Sequence, residues 1–196
     1  MIPEAHAWNE HQSPVDETEF TPWAQPGWLA HNGQSPEVAV VDFVRHLIRM
    51  MQPLFVIETG VGQGYMTRGI VPAMNGTCRF VAFESDDEWR RMLWPLEFWN
   101  DRPHTTLSDR PTPTVEELAT ADLCVLDSEF FWRAEEIRAW NQYAKAGAVA
   151  VIHDTADRDD TVHQEVRRLI TDLGMTGVFL NNPRGCFMAV QPQRSE

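Results

Sequence analysis

From residue 54 to residue 190 the apolar positions fall alternately into short unbroken runs and into stripes repeating at three and four residues. The runs are Leu54–Ile57, Arg79–Phe83, a weak one over His104–Leu107, Ala121–Leu126, Gly147–Ile152, Gly177–Leu180 and Cys186–Val190. Unbroken runs of this length suit strands buried on both faces, which is the pattern of a parallel sheet. The first stripe, Val40, Val41, Val44, Leu47, Ile48 and Met51, predicts a helix that lies on the sheet, with Ser35 as N-cap, Pro36 at its first position and Pro53 ending it. Further helices are predicted over Tyr65–Met74 with Asn75–Gly76 as stop, over Trp89–Trp99 with a kink at Pro95, over Phe131–Ala144, and over Asp159–Leu173 before Gly174. Strand and helix alternate without a break, so the fold class is α/β, doubly wound and mostly parallel, and Asn181–Gly185 closes the chain with an antiparallel hairpin.

The 196 residues, 43% of them apolar, suffice for one well-buried domain, which we place at residues 35–196. Residues 1–34 form an irregular extension, broken by Pro14, Pro22 and Pro26 and carrying Trp8, Trp23 and Trp28. Disordered tails are poor in aromatics, so this extension is expected to pack on the domain, with a covering role at an active site as a second reading. A net charge of −13 disfavours nucleic acid and anionic membranes as partners, although Arg90–Arg91 and Arg167–Arg168 are locally basic. No apolar run has the length of a membrane span and the N-terminus has no signal-sequence pattern, which points to the cytoplasm. Cys78, Cys124 and Cys186 are few and far apart, and imply neither a disulfide framework nor a zinc site.

Chemistry gathers where the runs end. Leu54–Ile57 passes directly into Glu58-Thr59-Gly60-Val61-Gly62-Gln63-Gly64, where three alternating glycines permit positive φ and let the backbone lie close against a ligand. The next run ends in Glu84, and in a doubly wound sheet a carboxylate there can accept both hydroxyl hydrogens of a bound ribose. Asp127 and the pair His153–Asp154 end two later runs, so the topology delivers Glu58, Asp127, His153 and Asp154 to one carboxyl edge. Asp109, after the weak run, is placed to meet an adenine amino group or to serve as ordinary loop chemistry.

The glycine turn, Asp122–Asp127, the Gly147 turn into Val151-Ile152-His153-Asp154-Thr155, and Pro183-Arg184-Gly185 together resemble the class I methyltransferases that use S-adenosylmethionine (SAM). The nearer resemblance is to the methyltransferase 24, cephalosporin hydroxylase-like and macrocin O-methyltransferase group. It implies a Rossmann-like, seven-stranded sheet with an antiparallel final strand and helices on both faces. It also implies a SAM site over Glu58, Gly60, Gly62, Gly64, Glu84, Ser85, Ser108, Asp109 and Asp127, and a small-molecule or sugar hydroxyl as methyl acceptor. In that group Asp127 and Asp154 would hold a divalent cation, Mg²⁺ or Mn²⁺, that lowers the pKa of an acceptor hydroxyl.

Two positions depart from the group's pattern. Phe130 stands where a histidine base is common, which leaves His153 as the nearest candidate base beside Asp127, and Thr155 stands where a second acid often follows the dyad. A non-catalytic SAM- or nucleotide-binding module therefore stays open. So does an NAD(P)-dependent oxidoreductase, which Tyr65 at the third glycine of the dinucleotide pattern and the lack of a Tyr-x-x-x-Lys pair at Tyr143 disfavour. The sequence leaves the acceptor and the oligomeric state, homo-oligomer included, open.

Overall fold

The computed structural model describes residues 13–14, 29–30, 35–93, 104–157, 161–182 and 184–193. Its centre is a seven-stranded sheet of β1 (Phe55–Thr59), β2 (Arg79–Phe83), β3 (Thr105–Ser108), β4 (Leu123–Leu126), β5 (Val149–His153), β6 (Gly177–Leu180) and β7 (Cys186–Val190). The strand order is β3-β2-β1-β4-β5-β7-β6, with β7 antiparallel to both of its neighbours and the other pairs parallel. The doubly wound, mostly parallel sheet with an antiparallel last strand is therefore as expected. Ser13–Pro14 also pairs antiparallel with Leu29–Ala30, and the rest of the extension, with its tryptophans, lies outside the described residues.

Six helices pack beside the sheet among the described residues: α1 (Val38–Met51), α2 (Tyr65–Ile70), α3 (Asp87–Leu93), α4 (Val115–Thr120), α5 (Phe130–Tyr143) and α6 (Thr161–Asp172). Side chains alternate along each strand, so each strand feeds two cores. Val56, Phe80, Ala82, Val125 and Val151 meet α1 and α2 on one face. Ile57, Val81, Cys124, Leu126 and Ile152 meet Ile137 and Trp140 of α5 and Val166 and Ile170 of α6 on the other. The three cysteines are buried and free.

Several boundaries differ from the expected ones for local reasons. The first helix begins at Val38 with Glu37 as its cap, two residues after the predicted start, and Glu37 makes no side-chain cap bond because its carboxylate is used elsewhere. The second helix gives way to a 3₁₀ turn over Val71–Ala73, where Pro72 has no N–H to continue the α pattern. Helix α4 was not expected at all. Thr114 and Glu117 form a full capping box at its start, Thr114 Oγ1 accepting from Glu117 N and Glu117 accepting from Thr114 N. Of the helix predicted to Trp99, Asp87–Leu93 is helical, and Pro95 and Trp99 lie outside the described residues.

Candidate active site

The register aligns the carboxyl ends of five strands. Thr59 pairs with Phe83 and Leu126, Phe83 with Ser108, and Leu126 with Ile152, so the next row reads Gly60, Glu84, Asp109, Asp127 and His153. Above this row lies a cleft of about 500 Å³, and its lining includes Gly60, Gly62, Glu84, Ser85, Asp127 and Trp132.

The glycine turn is the floor of that cleft. Gly60, Gly62 and Gly64 all have positive φ, at 71°, 51° and 75°. Their roles differ. A Cβ on Gly60 would lie 2.2 Å from the carbonyl oxygen of Asp127, so this glycine lets β1 and β4 close together, whereas a Cβ on Gly62 would meet nothing within 4 Å. Open space over Gly62 is what a ligand lying on the turn requires. Glu84 ties the turn to β2: one carboxylate oxygen accepts from Gly62 N at 2.8 Å and the other from Asp86 N at 2.9 Å. Each oxygen keeps a second acceptor site.

Glu58 is brought near but not into the cleft. It points to the α2 side, buried, with Oε2 accepting from Thr67 Oγ1 at 2.8 Å and Oε1 without a partner among the described residues. Burial pushes its pKa up to about 8, against the Thr67 hydrogen bond. On the opposite face Thr59 and Ser128 both donate to Glu136 Oε2, and burial likewise raises Glu136 to about 7. Ser108 and Asp109 turn towards a second cavity with Arg79, Arg90, Arg91 and Arg110, and Asp109 is exposed there, 3.7 Å from Arg90.

Behind Asp127 stands an ionic cluster that sequence reasoning only half anticipated. His153 follows the alternation of β5 onto the α1 face, where its Nε2 lies 2.7 Å from Glu37 Oε2 and its Nδ1 3.0 Å from Asp127 Oδ1. The ring is 1% exposed. Burial alone would lower its pKa, but the carboxylates of Asp127, Asp154 and Glu37 together push it up to about 10. His153 is thus an imidazolium that donates at both nitrogens. Glu37 is drawn down to about 2, because the pairing with His153 outweighs its burial.

Asp154 holds a left-handed backbone, φ 58°, which is unusual for a residue with a side chain and turns its carboxylate back towards α5 and the β6–β7 turn. There it accepts from Arg133 Nη1 at 2.8 Å, from Arg184 Nε at 2.7 Å and from Arg184 Nη2 at 2.9 Å. Burial opposes ionisation, but His153, Arg184 and Arg133 hold its pKa well below the ordinary value. Arg133 also donates to Asp127 Oδ1 at 3.1 Å and to the backbone oxygens of Ser128 and His153. Arg184 N and Asn182 Nδ2 complete the ring by donating to Glu37 Oε1. Glu37 and Arg133 had no role in the sequence-based site, and Arg184 entered only as part of a turn. His153, expected as the nearest base, is set behind Asp127 with both nitrogens engaged.

A doubly wound sheet with an inserted antiparallel last strand, a glycine turn after β1 and a carboxylate after β2 together define the class: the chain has the fold of the SAM-dependent O-methyltransferases. No family model and no curated protein matches the chain. Solved structures do. The Podospora anserina methyltransferase PaMTH1, bound to SAH, superposes with a TM-score of 0.69 at 14% identity, over 98% of this chain and 89% of that one. The Bacillus cereus O-methyltransferase in complex with SAH gives 0.65 at 14% identity, covering 81% and 83%. The Streptomyces achromogenes O-methyltransferase TomG, involved in tomaymycin synthesis and solved with SAM, gives 0.62 at 17% identity, covering 82% of each chain.

Proposed function

We propose that this chain is a SAM-dependent methyltransferase that methylates a hydroxyl of a small molecule or sugar. The observation that carries the reading is the cleft floor, where a bare Gly62 and a Glu84 with spare acceptor capacity lie side by side at the ends of β1 and β2. That arrangement suits a ribose on Glu84 with the rest of the cofactor across the glycine turn. SAM, when bound, supplies a methyl group on a sulfonium centre. The chain's own groups orient and exclude water: Trp89 and Trp132 wall the cleft with apolar surface, and Asp127 Oδ2, unpartnered among the described residues, is left to accept a hydrogen bond there. The carboxylates lining the acceptor side, Asp127 and Glu129, are the groups that can take the acceptor's proton in place of His153. Ser35 and Pro36 line the same cleft, so the extension over residues 1–34 joins the domain at the cleft, which supports a covering role. The Mg²⁺ or Mn²⁺ implied by the resemblance has no part in this reading, because Asp127 and Asp154 already hold two guanidinium groups. Among the described residues no helix is long and apolar enough to cross a membrane.

Calorimetry with SAM, SAH and NAD in parallel tests the assignment. SAM and SAH should bind with one site and NAD should not; binding of NAD alone would replace this reading with the oxidoreductase. Methyl transfer to no acceptor in a broad hydroxyl panel, with SAM still bound, would favour the binding module. Glu84→Ala should weaken SAM by about 1.5–3 kcal/mol, the range for hydrogen bonds to a charged group. An unchanged dissociation constant in that variant would move the ribose elsewhere.

A further inference from the structure

Three ligand atoms of Asp127, His153 and Asp154 lie within 4.8 Å of one another, close enough to share a metal ion. The surroundings decide against one. A hard dication such as Mg²⁺ needs open carboxylate oxygens and room for several waters in near-octahedral array. Here Arg184 covers Asp154 with two hydrogen bonds, and Arg133 bridges Asp154 and Asp127 with one to each. The third atom of the set, His153 Nδ1, points at Asp127 Oδ1, and its other nitrogen is on Glu37. The side chains of Arg133 and Asp154 are only 5% and 8% exposed, so water has little access. An ion entering this space would stand against two guanidinium groups.

We infer that Arg133 and Arg184 take the structural place of a divalent cation: they neutralise Asp127 and Asp154, fix Asp127 at the cleft wall, and close the position to metal. The two arginines arrive from different elements, Arg133 from α5 and Arg184 from the turn before β7. Together with Glu37 at the start of α1 they tie helix, hairpin and two strand ends into one wall of the cleft. They are positioning residues for Asp127. Arg133, Arg184 and the two aspartates all belong to the chain itself, so their pairing stands or falls separately from the proposed cofactor.

The test reads metal binding and stability, not turnover. Protein treated with a chelator and freed of it is titrated with Mn²⁺ while the electron paramagnetic resonance of free Mn²⁺ is followed, and its melting temperature is recorded with and without MgCl₂ at matched ionic strength. The parent should bind no stoichiometric Mn²⁺ and should melt at the same temperature under all conditions. Arg184→Ala frees Asp154 Oδ1 of its arginine and leaves Oδ2 with Arg133 alone, so it should melt lower than the parent, bind Mn²⁺ at least ~10-fold more tightly, and regain melting temperature with the metal through mass action. One equivalent of Mn²⁺ on the parent, lost in Asp154→Asn, overturns the inference. So does an Arg184→Ala protein that folds yet gains no metal affinity. If Arg184→Ala does not fold, the parent and Asp154→Asn titrations decide alone: no stoichiometric metal on the parent upholds the substitution of cation by guanidinium, and metal lost with Asp154 ends it.

Discussion

Arg133→Ala should lower the free energy of unfolding by about 3–5 kcal/mol, the usual loss when one partner of a buried ion pair is removed. Arg133 is nearly inaccessible and donates to Asp154, to Asp127 and to two backbone oxygens. Among the described residues Glu37, Asp127 and Asp154 face Arg133, Arg184 and His153, with His163 Nε2 3.5 Å from Asp154 Oδ1, so truncating Arg133 leaves buried carboxylate charge with less compensation away from water. Arg138 on the same helix provides the control: its bond to Glu135 at 2.9 Å is half exposed on both sides, and Arg138→Ala should change stability by less than about 0.5 kcal/mol. Urea unfolding of the three proteins makes the comparison. A loss below about 1 kcal/mol for Arg133→Ala would mean that the cluster is solvated and does not hold the cleft wall.

The contrast between these two arginines also explains what the sequence could and could not tell. The sheet was legible because strand burial on both faces writes unbroken apolar runs, and the row Gly60, Glu84, Asp127, His153 followed from where those runs stop. Helix α5 was legible as a helix but not as a site element. Its buried face is Arg133, Glu136, Ile137 and Trp140, at spacings of three, four and seven, and hydrophobic patterning assigns the first two to solvent. Only the fold reveals that each has a buried partner: Arg133 on Asp154, Glu136 under Thr59 and Ser128. Glu37 was hidden by distance, since its partners His153 and Arg184 lie 116 and 147 positions along the chain. The helix α4 was different. Thr114 and Glu117 already have the spacing of a capping box, so a local signal was present before the short apolar content of Val115–Thr120 could give one. The metal expectation meets the same difficulty as Arg133: in the sequence, two acids at adjacent strand ends look alike whether a cation from solvent or a guanidinium from another helix neutralises them.

The same buried groups should give the protein a stability maximum near pH 5 and a steep loss towards alkaline pH. Glu58 is raised from 4.5 to about 8 and Glu136 from 4.5 to about 7, burial being the main cause for each. Above pH 4.5 the unfolded chain releases both protons while the folded chain keeps them, so rising pH favours unfolding until each folded pKa is passed. His153, raised from 6.5 to about 10 by its three carboxylates, acts in the same direction: its contribution is complete below 6.5 and is lost as pH climbs through 10. Each such proton is worth about 1.4 kcal/mol per pH unit, so Glu58 alone would take away ~5 kcal/mol between pH 4.5 and 8. Glu37 and Asp154 have the opposite sign. Both are lowered, so their contribution is present above their unfolded pKa values and is lost on acidification, for Glu37 as pH falls through about 2. The maximum lies between the two sets. Urea midpoints measured from pH 4 to pH 10 at constant ionic strength should peak near 5 and fall through 8, and Glu58→Gln, which keeps an acceptor for Thr67 but cannot ionise, should flatten the fall between 4.5 and 8. A parent whose midpoint rises from pH 5 to 8, or a Glu58→Gln profile parallel to the parent's, would show that Glu58 ionises freely and that its place behind the glycine turn is open to water.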